Sequence, residues 1–220
     1  MQGTANATPR AAATVMRIDW SLFHAFNAGV ATRDWLEDPV TALAELAIPL
    51  YAAALITLWF LARPYGDRRW KRACLSGFAA AALAMATNQV ISHLWERPRP
   101  FTAHPALTHL LSAPSLDPSF PSDHAAVATA IAFAVLAFSR RAGFLFLAAA
   151  TLIGISRVAL GMHYPSDVLA GMVVGWAAAT LVTHLGAHWI ERLASLLSRI
   201  SDPLLLPLWN RLLGRAPARR

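Results

Sequence analysis

Residues 40–62 read VTALAELAIPLYAAALITLWFLA, a mostly apolar run of 23 residues with one charged side chain, Glu45. The next ten residues, RPYGDRRWKR (63–72), carry five basic side chains. A helix needs about 20 apolar residues to cross the ~30 Å hydrocarbon core of a bilayer, so the run is long enough to span a membrane once. The sequence therefore indicates a membrane protein.

Four further apolar runs follow, at residues 73–95, 125–138, 142–155 and 168–187. The first and last of these four are long enough to span alone, and the two middle runs reach the required length with the polar residues at their ends. We therefore expect an all-α, polytopic membrane helix bundle of about five transmembrane helices, forming a single domain over residues 1–220.

The two ends of the chain carry different patterns. Residues 1–14 are rich in Ala and Thr and lack the apolar core of a signal peptide, so a disordered start is expected. Residues 18–30 predict an interfacial helix too short and polar to span, although crossing as a hairpin would raise the count to six. Residues 187–220 alternate apolar and basic side chains at helical spacing, which predicts a basic amphipathic helix on the inner leaflet.

The basic residues are unevenly distributed along a chain that is 56% hydrophobic and carries a net charge of +7. Thirteen of the 19 lie at residues 63–72, 140–141 and 192–220, all at one end of the expected bundle. Segments rich in Lys and Arg remain on the cytoplasmic side, so the other end should face outward. We expect a multi-pass protein of the cell (inner) membrane. Its expected partner is the lipid bilayer, and no nucleic-acid partner is expected.

Three polar segments lie in the loops at that outward end: Arg97-Pro98-Arg99-Pro100, then Pro121-Ser122-Asp123-His124, then Ser156-Arg157 followed by His163 and Asp167. Arginines bind phosphate oxygens through paired hydrogen bonds, one histidine can attack phosphorus, and another can protonate the leaving oxygen. These groups predict phosphoester cleavage on a lipid. Cys74 is the only cysteine, and the sequence contains no metal-binding or nucleotide-binding motif, so the expected reaction needs neither a metal nor a cofactor.

His163 is the candidate nucleophile, and Asp167 is expected to hold its other ring nitrogen. Pro165 is well placed to begin a helix, so Asp167 falls in the first turn, where an ordinary helix cap is the alternative interpretation. His124 is the candidate general acid, at the start of an apolar helix. Ser122 either caps that helix or donates its hydroxyl to phosphate.

Arg99 and Arg157 are the candidate phosphate-binding cations, although a single arginine at the end of a span can simply extend to the lipid headgroups. Arg97 is a third candidate, with pairing to Glu96 as the alternative. Asp123 is interpreted as a charge at a helix start, because a second carboxylate would oppose phosphate binding.

The order and spacing of these motifs resemble the type 2 phosphatidic acid phosphatase (PAP2) superfamily, over roughly residues 40–186, the expected catalytic bundle. Residues 88–101, NQVISHLWERPRPF, resemble the bacterial undecaprenyl-pyrophosphate phosphatases most closely. The first motif of the superfamily is a lysine, six residues, then Arg-Pro, and the lysine position holds Ser92 here. Arg97 is the nearest basic residue that can replace it.

The resemblance implies a phosphatase that converts a polyprenyl diphosphate to the monophosphate through a phosphohistidine. Phosphatidic acid, phosphatidylglycerol phosphate and lipid A are alternative substrates, and a lipid phosphotransferase would use the same histidines. A transporter or structural membrane protein is a further alternative, but its polar groups would be spread through the spans, whereas these concentrate at one end.

Overall fold

The computed structural model describes residues 10–212, and this part of the chain is helical throughout, without strands. The helices are α1 (Arg10–Ala31), α2 (Asp34–Leu61), α3 (Arg69–Leu94), α4 (Pro100–Ala103), α5 (Asp123–Leu136), α6 (Arg140–Ala159), α7 (Pro165–His184) and α8 (Ala187–Leu212). Within these residues, α2, α3, α6 and α7 are long and apolar enough to cross a membrane, and α5 is apolar but shorter. The prediction of an all-α membrane bundle built on five apolar runs is confirmed.

The short helix α5 lies at the centre of the bundle, packed against α3, α6 and α7. Ten of its 14 residues are buried, so protein surrounds it on every side. Its closest neighbour is α7, where Gly171 and Gly175 face the α5 backbone. A Cβ atom at Gly171 would lie 2.4 Å from the carbonyl oxygen of Ser122, and one at Gly175 would lie 2.3 Å from that of Ala126. Small residues allow this close approach, which aligns the beginnings of α5 and α7.

Helix α1 begins at Arg10, so residues 10–14, expected to be disordered, are helical, and residues 1–9 lie outside the described part. One face buries Asp19, Phe23 and Asn27 against the bundle, whereas Met16, Leu22 and Phe26 on other faces are exposed. Asn27 Nδ2 donates to the carbonyl oxygens of His109 (2.7 Å) and Ala159 (2.8 Å). The predicted interfacial helix is therefore an integral wall of the end of the bundle that carries the three motifs, called the site end below.

Helix α8 packs against the opposite end of the bundle. Its buried stripe consists of Ile190, Ala194, Ser198 and Asp202. Lys71, in the first turn of α3, donates to Asp202 and to Ser198 Oγ (3.1 Å), and the Lys71 side chain is almost fully buried. The amphipathic pattern predicted for residues 187–220 is present as far as Leu212, and residues 213–220 lie outside the described part.

Candidate active site

The three polar motifs meet in one cavity at the site end. This cavity has a volume of about 360 Å³, and its lining includes Arg99, Asp123, His124, Arg157 and His163. Four of the predicted site residues, from segments far apart in the chain, therefore share one space. Two guanidinium groups and two imidazoles around a cavity of this size form a site suited to an anion.

The backbone between α6 and α7 turns His163 into the cavity. Gly161 has φ +82°, a left-handed conformation, and a Cβ atom there would lie 2.7 Å from the carbonyl oxygen of His109. Glycine is the residue that adopts this conformation without strain. The amides of Met162 and His163 then both donate to the carbonyl oxygen of Arg157 (3.1 and 3.3 Å), which draws the loop back over the end of α6.

The contacts of His163 determine which ring nitrogen is free. Nδ1 lies 2.8 Å from the carbonyl oxygen of Ser119, which can only accept, so Nδ1 carries the proton. Nε2 therefore keeps its lone pair, 3.3 Å from Arg99 Nη1. Burial lowers the pKa of His163 well below its usual value, and the nearby guanidinium groups of Arg99 and Arg157 lower it further. The imidazole is consequently neutral at neutral pH, the form in which it can act as a nucleophile.

Asp167 makes no direct hydrogen bond to the imidazole, because its Oδ2 lies 3.9 Å from His163 Nδ1. Oδ2 instead accepts hydrogen bonds from Ser119 Oγ (2.6 Å) and from the backbone amide of Tyr164 (2.9 Å). The second contact is the helix cap of the alternative interpretation. The carboxylate therefore reaches His163 through Ser119, whose carbonyl oxygen holds the ring.

Arg99 and Arg157 are both buried and both line the cavity. Arg99 Nε donates to the carbonyl oxygen of Asp117 (2.8 Å), and Nη1 donates to that of Met162 (3.1 Å). Burial lowers the pKa of Arg99, while the carboxylates of Asp117, Asp167 and Asp123 oppose that shift. The Arg157 side chain has no hydrogen-bond or ion-pair partner among residues 14–212, and its Nε is buried. A phosphate oxygen would supply the missing acceptor.

Arg97, the third predicted phosphate-binding residue, does not line this cavity. Its Nη2 donates to Asp19 Oδ2 (2.7 Å), and its Nη1 donates to Asp167 Oδ1 (2.5 Å). The guanidinium carbon also lies 3.9 Å from the centroid of the Tyr164 ring. Two buried carboxylates require a nearby cation, and Arg97 supplies it to both. The partner is thus Asp19 on α1 rather than Glu96.

Two predicted residues lie where α5 begins. Ser122 is fully buried, its Oγ has no partner among the described residues, and it makes no capping hydrogen bond. His124 lines the cavity near both arginines. Asp123, between them, accepts a hydrogen bond from Asn88 Nδ2 (2.9 Å) and so joins the start of α5 to α3.

Sequence analysis missed Asp19 and Ser119, which hold the site from behind. The signal for Asp19 was available, because Asp19, Phe23 and Asn27 recur every four residues along one face of α1. Polar residues in line with a buried Phe indicate a polar contact with the bundle. Ser119 carries no such signal, since it acts mainly through its backbone carbonyl.

Among residues 10–212, the structure groups no three His, Cys, Asp or Glu side chains where they could share a metal ion. Metal independence nevertheless remains a prediction.

A family model described as the PAP2 superfamily matches residues 72–191. Undecaprenyl-diphosphatase BcrC of Bacillus subtilis is 32% identical over 157 residues, which cover 71% of this chain and 78% of that protein. The putative undecaprenyl-diphosphatase YbjG of Escherichia coli is 30% identical over 159 residues, 72% of this chain and 77% of that protein. Among solved structures, a PAP2-type phosphatidylglycerolphosphate phosphatase of Bacillus subtilis superposes with a TM-score of 0.56 at 25% identity, covering 77% of this chain and 86% of that one.

Proposed function

The chain belongs to the PAP2 superfamily and is a membrane lipid phosphatase, and on that premise we propose that it hydrolyses undecaprenyl diphosphate to the monophosphate through a phosphohistidine. The observation that carries the proposal is the buried, neutral His163, whose Nε2 lone pair faces a cavity with two guanidinium groups. The diphosphate substrate is favoured by the relatives named undecaprenyl-diphosphatases.

In the first step, His163 Nε2 forms a bond to the terminal phosphorus while the anhydride P–O bond breaks. The electron pair of that bond leaves with the polyprenyl phosphate, and His124 donates a proton to the departing oxygen. Arg99 and Arg157 stabilise the negative charge on the transferred phosphoryl group. Arg99 Nη1 turns from Nε2 toward the phosphate oxygens as the substrate binds.

In the second step, His124 removes a proton from a water molecule, which attacks the phosphohistidine. The P–N bond breaks, inorganic phosphate forms, and His163 returns to its neutral state with its proton still on Nδ1. Ser122 Oγ, at the start of α5, donates to a phosphate oxygen, which satisfies a hydroxyl that has no partner among the described residues.

The site faces the periplasm or the outside, because the segments richest in basic residues lie at the opposite end of the bundle. The substrate headgroup therefore approaches from the outer leaflet.

The proposal is tested by incubating purified protein in detergent, in the presence of EDTA, with each lipid of a panel. The panel contains undecaprenyl diphosphate, phosphatidic acid, phosphatidylglycerol phosphate and lipid A. Free phosphate and every phosphorylated lipid product are measured, so that transfer to a second lipid is distinguished from hydrolysis. Preferred release of phosphate from undecaprenyl diphosphate supports the proposal. A higher kcat/KM on a monoester, or a requirement for an acceptor lipid, contradicts it.

The phosphohistidine is tested by alkaline quenching of the enzyme with substrate labelled in the terminal phosphate, since P–N bonds survive base. We expect label on the wild-type protein and none on His163→Ala, which should also lose turnover. His93→Ala is the matched control, because His93 is exposed on α3 and makes only a local contact with Gln89. Full turnover by His163→Ala would contradict the mechanism.

A further inference from the structure

We propose that Asp19 and Arg97 form a positioning pair that holds the nucleophile His163 in its reactive orientation. This inference rests on the proposed role of His163. Neither residue touches the reacting atoms, and the pair acts on the histidine through Asp167 and Ser119.

A continuous series of hydrogen bonds joins α1 to the imidazole. Asp19 Oδ2 accepts from Arg97 Nη2 (2.7 Å), and Arg97 Nη1 donates to Asp167 Oδ1 (2.5 Å). Asp167 Oδ2 accepts from Ser119 Oγ (2.6 Å), and the carbonyl oxygen of Ser119 holds His163 Nδ1 (2.8 Å). Three of the links lie within the usual hydrogen-bond range, and the fourth, between Arg97 and Asp167, is shorter and joins two oppositely charged groups.

Charge balance explains why the series depends on Arg97. Asp167 is fully buried and Asp19 is nearly so, at 6% exposure. Both carboxylates have Arg97 as their only ion-pair partner of full positive charge among the described residues. Removing the guanidinium would leave a buried negative charge directly behind Ser119, so the carboxylate would move or be neutralised.

Asp19 adds a second constraint on the first turn of α7. Its Oδ1 accepts from the amide of Ser166 (2.8 Å), and its Oδ2 accepts from Ser166 Oγ (2.6 Å). Ser166 directly precedes Asp167, and Ser166 Oγ also accepts from Arg97 Nη1 (2.7 Å). Helix α1 therefore holds both Ser166, the residue next to Asp167, and Arg97, the cation that neutralises the Asp167 carboxylate.

The surroundings of Arg97 favour positioning over substrate binding. Both terminal nitrogens are engaged by carboxylates, and the planar group stacks on Tyr164. The planar shape of arginine suits such a bridge between two carboxylates, which a lysine cannot reproduce.

The test measures steady-state and single-turnover kinetics of Asp19→Asn, Arg97→Gln and Arg97→Lys on whichever panel lipids the wild-type enzyme hydrolyses. We expect kcat and the rate of phosphohistidine formation to fall about 100-fold in Arg97→Gln, the scale for a misplacement of about 1 Å, while KM changes less than about threefold. The kcat values of Asp19→Asn and Arg97→Lys should lie between those of Arg97→Gln and the wild type. Each variant should lose the same proportion of its kcat on diphosphate and on monophosphate.

Two controls separate positioning from a general loss of structure. Arg17→Gln removes an exposed positive charge from the same helix and should leave the kinetics unchanged. The double variant Asp19→Asn/Arg97→Gln should lose less activity than the product of the two single losses, because both residues act on the position of Asp167.

A selective rise in KM for diphosphate, with kcat unchanged, would show that Arg97 binds substrate and would overturn the inference. Unchanged kinetics in Asp19→Asn and Arg97→Gln would also overturn it, as would a double variant whose loss equals the product of the two single losses. Failure of the proposed role of His163 is recognised separately, because the wild-type enzyme would then form no phosphohistidine on any lipid, and failure of the proposed substrate is recognised from the lipid panel.

Discussion

A histidine that attacks phosphorus must be unprotonated, and the surroundings of His163 favour that state in two ways. Burial and two guanidinium groups disfavour the charged ring, and the Ser119 carbonyl keeps the single proton on Nδ1. The two arginines proposed to bind the phosphate thus also keep the proposed nucleophile unprotonated.

The lowered pKa of His163 predicts the acid limb of the pH profile. The neutral ring persists as the pH falls through the ordinary imidazole value of about 6.5, so kcat/KM should be retained there and lost only at lower pH. Rates measured between about pH 4 and pH 8 test this, with an aryl phosphate as a second substrate to separate enzyme from substrate ionisation. Half-loss at or above pH 6.5 on both substrates would contradict it.

The general-acid role of His124 is tested with leaving groups of different basicity. His124→Ala should slow a lipid monoester, whose alkoxide leaves poorly, about 100-fold or more, and an activated aryl phosphate far less. The ratio of the two losses is the measurement. Equal losses would mean that His124 only shapes the cavity.

The sequence motifs indicated which residues line the cavity, but they did not indicate which partners those residues contact. Motif spacing indicated that Arg99, His124, Arg157 and His163 lie together, because the polar segments that carry them join apolar helices at the same end of the bundle. It did not indicate that Arg97 and Arg99, two residues apart, have different partners: Arg97 contacts carboxylates, whereas Arg99 contacts backbone carbonyl oxygens and lines the cavity. Spacing along a chain indicates which loop carries a side chain but not which neighbour neutralises it.

At the scale of helices, the contact between α5 and α7 sets the distance between the second and third motifs. The amide of Ser122 donates to the carbonyl oxygen of Asp167 (3.0 Å), a direct link between the two helix starts. Gly171 lies one turn further along α7, against the same Ser122.

Gly171→Ala should therefore separate the two motifs. Its Cβ atom would lie 2.4 Å from the Ser122 carbonyl oxygen, so one helix must shift, at a cost of about 1–3 kcal/mol for overpacking. We expect a lower Tm in detergent together with reduced kcat. Gly29→Ala on α1 is the matched control, because the nearest atom to its Cβ would be a flexible Arg33 side-chain atom at 3.7 Å. This variant should keep the wild-type Tm and kcat. Equal behaviour of the two variants would contradict the role of the contact.

The long apolar helices could be predicted from length alone, whereas the role of α1 could not. Residues 18–30 are too few and too polar for a span, so an interfacial position was the simplest expectation. Asp19 and Asn27 instead face inward and satisfy backbone and charged groups of the site end. The role of a polar residue in a helix can be assigned only when its partners, here 78 or more residues away, are known.

The orientation of the whole molecule is tested by labelling single cysteines in intact cells. In a Cys74→Ala background, Leu116→Cys on the exposed site-end loop should react with a membrane-impermeant thiol reagent, and Asp67→Cys in the basic turn should not. Labelling after the cells are opened serves as the control, since both cysteines should then react. Reaction at position 67 alone in intact cells would place the site in the cytoplasm.

The buried pair of Lys71 and Asp202 has a consequence for how the protein is made. The two residues are 131 positions apart, and a ribosome adds about 5–20 residues per second, so Lys71 exists for roughly 7 to 26 s before its partner is synthesised. During that interval the ammonium group must stay hydrated, and the beginning of α3 cannot close against its final neighbours. Helix α8 is therefore needed to close this end of the bundle, and a chain trimmed before α8 would lack the group that lets Lys71 enter the interior.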